Sequence, residues 1–271
     1  MNSSFAKETA MRAPLFLISL ALSSAACSDS AEYADKAGVS DRATASAVAT
    51  AAPAAEAYAV EQETERYQFA YSWPAQVAAE PALAAFLGQK ADAMRAELEQ
   101  EADEDWNSSQ GSEWTPRQHS ASEEWQVVAD LPGYLSLSGH LATYSGGAHG
   151  MYGMQSLVWD REAGAAMKGI DLFNSLGNRL CDTLNTAREE RRGMEIEEGS
   201  DDMFDKCPGL DEASVLVGSS NGKTFDRITV YFGPYVAGAY AEGDYELDFP
   251  VTASVVDAVK PAHARAFSVS R

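Results

Sequence analysis

From Tyr67 onward, large apolar residues recur in this chain with two distinct periods. Tyr67, Phe69, Tyr71 and Trp73 alternate with polar or small residues and then meet Pro74, the period of two expected of a half-buried strand. After Pro81 the spacing lengthens. Leu83, Leu87, Met94 and Leu98 fall on one stripe of a helix that is rich in Glu, Lys and Arg elsewhere and fades at Glu104. Asn107 to Ser112 is a loop signature. The period of two returns at Trp125, predicting strands over Trp125–Asp130 and Tyr134–Tyr144, split by the turn at Pro132-Gly133. A glycine-rich turn, Ser145 to Gly150, leads into Met151–Asp160, and Arg161-Glu162-Ala163-Gly164 closes a hairpin. Phe173, Leu176, Leu180, Leu184 and Ala187 step by three and four, predicting a helix over Ile170–Arg192. Its last turn carries Arg188 to Arg192, where the helix dipole favours positive charge, and Gly193 stops it. Strands follow over Phe225–Phe232 and Tyr245–Pro250, then a short helix over Thr252–Val259 and an edge strand over Ala266–Val269. This order of strands, helix and strands predicts an α+β fold. It has a largely antiparallel sheet with two main helices and two sub-regions sharing a core.

The N-terminal stretch reads as an address. Lys7 and Arg12 precede an apolar run, Ala13 to Ala26, too short for the roughly 20 residues of a membrane span. Residues 1–26 are therefore expected to be a signal peptide. Ser24-Ala25-Ala26 suits an ordinary signal peptidase. With Cys27 it also resembles a lipobox, in which Cys27 carries the lipid anchor, and Ser28 then favours the outer membrane. The expected location is periplasmic, lipid-anchored to the outer membrane or soluble. Residues 27–63, dominated by Ala, Ser, Thr, Asp and Glu, bury too little to offset ordering entropy and are expected to form a tether.

Composition narrows the partners. The chain has 271 residues and a formal net charge of −21, which disfavours nucleic acid and anionic lipid and favours cationic partners at long range. In an exported protein, Cys181 and Cys207 read as a disulfide worth roughly 3.5 kcal/mol for a loop of about 27 residues. His140 and His149 flank the glycine-rich turn without a third ligand at metal spacing. They are read as hydrogen-bonding backbone carbonyls, and Gly146 and Gly147 as needing positive φ. Asp201, Asp202, Asp205, Glu195, Glu197 and Glu198 lack EF-hand spacing and are read as a solvated loop. No metal and no cofactor is expected. H-E-x-x-H and phosphate-binding glycine signatures are absent.

The run Tyr144-Ser145-Gly146-Gly147-Ala148-His149, with Asp171-Leu172-Phe173, Ile228 to Gly238 and Tyr245 to Val251, resembles a known envelope family. That family includes the extracytoplasmic domain of the anti-sigma factor RsiV and the N-terminal part of the peptidoglycan deacetylase PdaC. The resemblance implies a PdaC-like α+β sub-domain over 64–165 and an RsiV-like one over 166–271, with a non-catalytic role. In the deacetylase relative, chemistry belongs to a separate metal-dependent domain, and the anti-sigma relative recognises lysozyme. This chain departs by lacking a transmembrane helix, a sigma-binding segment and the family's usual Pro at Gly150, which predicts a looser turn. The expected function is a non-catalytic envelope lipoprotein binding a cationic, lysozyme-like wall hydrolase or peptidoglycan. His149, Tyr144, Tyr235 and Tyr240 are the binding residues, and Trp106 and Trp114 are further candidate anchors. The alternative is an unrecognised hydrolase or esterase acting on wall polymers.

Overall fold

The computed structural model describes residues 55–113, 115–176, 179–196 and 202–271. The expected signal peptide, Cys27, most of the tether and Trp114 lie outside these. Among the described residues no helix is long and apolar enough to cross a membrane.

The tether expected to run to residue 63 ends sooner. Tyr58–Glu63 is a strand, β1, antiparallel to β2 (Tyr67–Trp73). Only Tyr58 and Val60 are large and apolar there, too few to set up a visible alternation. Yet Tyr58 stacks on Trp73 at 3.9 Å between ring centroids, and Val60 packs on the core. A short helix, α1 (Ala75–Ala78), precedes α2 (Pro81–Ser108), which starts on the Pro that suits a first helical turn. It buries Leu83, Leu87, Ala91, Leu98 and Ala102. The helix outruns its apolar stripe because Asp, Glu, Trp and Asn can all continue a helix on a solvated face.

α2 is a crossover. It carries the chain to β3 (His119–Asp130), which pairs parallel with β2, Tyr71 lying beside Glu123. The first half of β3 is polar, so its alternation is invisible by hydrophobicity, although His119, Ala121, Glu123 and Trp125 all turn inward. β4 (Tyr134–Tyr144), β5 (Met151–Asp160) and β6 (Ala165–Met167) follow as an antiparallel meander, completing a six-stranded sheet in sequence order.

The helix expected from Ile170 begins later, as α3 (Arg179–Arg192). Upstream, Gly169–Leu172 is one 3-10 turn, and Phe173 bridges to Val259. Leu172, at the end of that turn, and Phe173, on extended backbone, are both buried, locked by Asn174 N–H to Ala258 O at 2.8 Å and Lys260 N–H to Leu172 O at 2.9 Å. A second, antiparallel sheet contains β7 (Ser214–Gly218), β8 (Arg227–Phe232) and β9 (Tyr245–Pro250), with α4 (Ala253–Ala258) after it. The edge strand expected over Ala266–Val269 reduces to a single bridge between Phe267 and Phe225.

Two apolar clusters hold these layers. One lies between α2 and β2–β5, around Tyr71, Leu83, Leu87, Trp125 and Leu137. The other gathers Val215, Ile228, Val230, Phe225, Leu184 and Phe267, and it includes Ala129 and Val158 from the first sheet and Leu131 from its β3–β4 turn. The first sheet is thus buried on both faces at its Asp130–Tyr134 end. The class is α+β with a mostly antiparallel sheet and two long helices.

Candidate functional site

The turn between β4 and β5 sets the geometry. Gly146 has φ +85°, as a tight turn requires, while Gly147 stays in the ordinary region. Gly150 is not loose: a Cβ there would stand 2.7 Å from the Thr143 carbonyl oxygen. Bare backbone at 150 lets the chain re-enter the sheet against β4. The Gly150 carbonyl accepts from Tyr240 Oη at 2.9 Å and from His149 Nδ1 at 2.9 Å. A carbonyl cannot donate, so Nδ1 carries the proton.

His149 stacks on Tyr240 with centroids 3.9 Å apart and planes 23° apart. Tyr235 lies 6.4 Å from His149 and 5.6 Å from Tyr240 between centroids, its hydroxyl 3.4 Å from His149 Nε2. Tyr152 meets Tyr240 edge-on at 6.2 Å. Tyr235 is 48% exposed, and its φ of +68° is the one positive φ outside glycine among the described residues. That conformation costs about 1–3 kcal/mol and persists only where surroundings enforce it. Here Tyr235 N–H reaches Gly238 O at 3.0 Å and Val236 N–H reaches Gly233 O at 3.1 Å.

The loop behind these rings is fastened by α3. Fully buried Arg188 donates to Ala237 O at 2.8 Å and Lys206 O at 3.1 Å. Arg191 lies 4.0 Å over the Tyr245 ring and donates to the Glu242 and Asp244 carbonyls. Arg192 bridges Glu242 at 2.9 Å and Asp205 at 2.6 Å. Burial pulls the Glu242 carboxyl up, but hydrogen bonds from Tyr245 and Arg192 hold it below the usual range. Cys207 is disulfide-bonded to Cys181 at the start of α3, with Cα atoms 5.5 Å apart. Disulfide, arginines and aromatic loop are one frame.

Beside the rings, a cleft of about 630 Å³ opens between the two sheets, with Glu61, Glu124, Asp244 and Glu246 along its walls. Tyr152 Oη reaches Asp244 at 3.3 Å and links cleft to rings.

Of the residues singled out from sequence, His149, Tyr235 and Tyr240 meet. Tyr144 does not join them: its hydroxyl donates to Gly147 O at 3.0 Å and accepts from Arg117 at 2.9 Å. His140 is exposed near the middle of β4, in the cleft wall. Trp106 is half-buried, with Arg66 5.3 Å over its ring. Among the described residues no group of three or more His, Cys, Asp or Glu could hold a metal. Tyr152, Arg191, Glu242 and Asp244 were not anticipated, because nothing in the sequence ties Tyr152 to Asp244, 92 residues on, or Arg191 to the Glu242 and Asp244 carbonyls, 51 and 53 residues on. The arrangement offers flat rings, an imidazole and nearby carboxylates, a chemistry of stacking and hydrogen bonding.

A family model described as deacetylase PdaC matches residues 60–152. A DUF3298 family member from Bacteroides fragilis is similar in structure at 19% identity and TM-score 0.42, covering 72% of this chain and 90% of its own. A DUF3298 family protein from Pseudomonas aeruginosa is similar at 18% identity and TM-score 0.46, covering 80% of this chain and 96% of its own. None of the curated proteins compared with the sequence matches it. The stretch from β1 to the start of β5, residues 60–152, is thus the part of the chain that is similar to the PdaC family model.

Proposed function

We propose that this chain is a non-catalytic cell-envelope protein, anchored through a lipid on Cys27, that binds a cationic wall hydrolase of the lysozyme kind through its aromatic surface. The observation that carries this is the His149–Tyr235–Tyr240 group, with His149 and Tyr235 exposed and Tyr240 half-buried, held by α3 and set beside an acidic cleft. Preformed aromatic anchors lose little conformational entropy on binding, and a net charge of −21 speeds encounter with a basic protein. The Cys181–Cys207 bridge is in keeping with an oxidising compartment. Calorimetry of the full chain with lysozyme, at low and moderate salt, tests it. Binding at low salt that weakens with salt, and that Tyr235→Ala and Tyr240→Ala each weaken about tenfold, is the expected result. Absence of binding at low salt overturns it.

The open ring faces support a second reading, in which the same surface stacks on the apolar faces of wall sugars. Sedimentation with purified peptidoglycan, insensitive to salt but lost in Tyr240→Ala, would favour the glycan over the hydrolase.

A further inference from the structure

The cleft between the sheets has a corner that the aromatic surface does not use. On the face of the first sheet turned away from α2, strand pairing sets Glu61, Ala70, Ser122, Ala142 and Tyr152 in one row from β1 to β5. Glu124 and His140 stand side by side in the next row. Ala70, Ser72, Ser122 and Ala142 give the cleft a floor of small side chains. The second sheet closes one end of it. There Tyr231 of β8 lies opposite Glu246 of β9, and Asp244 leads into β9. Among the described residues that line the cleft there is no Lys or Arg.

Tyr231 is the residue that points to a ligand. Ile228, Val230 and Phe232 of β8 enter the second apolar cluster, and Tyr231, on the alternate side of the strand, joins neither cluster. It is nonetheless only 5% exposed, and its hydroxyl makes no hydrogen bond among the described residues. Burial first, then Asp244, Tyr152 and Glu246, all walls of the cleft, push that hydroxyl above the ordinary tyrosine range. A buried hydroxyl left unpaired destabilises a fold, and a ligand that bonds to it offsets the cost. The carboxylates beside it are open as well. Tyr152 donates to Asp244 Oδ1 at 3.3 Å, while Asp244 Oδ2 and the Glu246 carboxylate receive no hydrogen bond among the described residues. Arg191 is committed elsewhere, over the Tyr245 ring and to the Glu242 and Asp244 carbonyls.

We propose that this corner of the cleft binds a guanidinium on an aliphatic stem, the chemistry of an arginine side chain. Its N–H groups donate to the Tyr231 hydroxyl and to the Asp244 and Glu246 carboxylates, and the stem lies over the small side chain of Ala142. Acceptors drawn from β8, β9 and the residue before β9 suit a donor whose five N–H bonds fan out in one plane. An ammonium concentrates its three hydrogens on one atom and cannot reach all of them together. The corner uses none of His149, Tyr235 and Tyr240, and it holds whether or not a hydrolase docks on those rings.

The test is saturation-transfer NMR and calorimetry of ethylguanidinium chloride with the full chain, near neutral pH and at low salt. Binding to the parent is expected, with ethylammonium chloride about tenfold weaker. Tyr231→Phe keeps the ring and removes the hydroxyl, and Glu246→Gln removes a charge from an exposed position. Each is expected to weaken ethylguanidinium about tenfold, and Glu246→Gln decides the matter if Tyr231→Phe does not fold. Glu162→Gln, on the remote β5–β6 turn, makes the same change in net charge and is expected to leave binding unchanged. No binding to the parent, ethylammonium binding as tightly, either cleft variant binding like the parent, or Glu162→Gln losing as much as Glu246→Gln would each overturn the proposal. No hydrolase enters the experiment, so its outcome is read apart from that of the aromatic surface.

Discussion

Tyr235 holds a backbone conformation that an ordinary side chain resists, and it does so in the most exposed ring of the aromatic group. Glycine accepts that conformation freely, whereas alanine keeps the strain and loses the ring. Tyr235→Gly is therefore expected to be about 1 kcal/mol more stable than Tyr235→Ala in urea titrations, although both lose the exposed phenol. Glu123 poses the opposite problem, a carboxyl whose folded value is raised above its unfolded one by burial. Its bound proton contributes stability that is full below the ordinary glutamate range, about 4.3, and is lost as pH rises through the folded value. Glu123→Gln never carries the charge. Its melting temperature should match the parent's in acid and exceed it by a few degrees near pH 8, as calorimetry would show. Neither constraint is legible in the sequence. Tyr235 is marked there as a binding residue, but after Gly-Pro its strain does not show, and Glu123 sits in a polar run whose inward side becomes visible only once β2 and β4 flank it.

Among the elements, legibility followed burial. β2 and β9 bury alternate large residues, and β4, β5 and β8 carry large apolar residues in buried runs, so their patterns emerge directly from sequence. β1 and the first half of β3 are polar outside and small within, and they pass for tether and loop. Phe173 imitated the next helix because its spacing to Leu176 and Leu180 is helical, while its backbone pairs with Val259. The arginines of α3 were legible as a charged helix end. Their actual partners, carbonyls of the loop carrying Tyr235 and Tyr240, come from a segment some 50 residues later. Replacing Arg188 by Ala leaves the Ala237 and Lys206 carbonyls without their donor. The expected cost is about 3 kcal/mol in chemical unfolding, accompanied by loss of the near-ultraviolet circular dichroism of the tyrosine group.

At the scale of the whole molecule, the disulfide joins the start of α3 to the segment that Arg188 and Arg192 grip. Replacing both cysteines with serine should cost about 3.5 kcal/mol in urea and leave the first sheet's packing intact, because its cluster draws on residues far from Cys181. The parallel pairing of β2 with β3 bears on a different property, the order in which the chain acquires its structure. β3, β4 and β5 can zip through two short turns, but β2 can join only after 28 residues of α2 have been placed across the sheet. The late partners are then β1, β2 and the helix. Leu83→Ala, in the seam they share, should accelerate unfolding far more than it slows refolding in stopped-flow experiments. Equal effects on the two rates would place that seam in the folding nucleus instead.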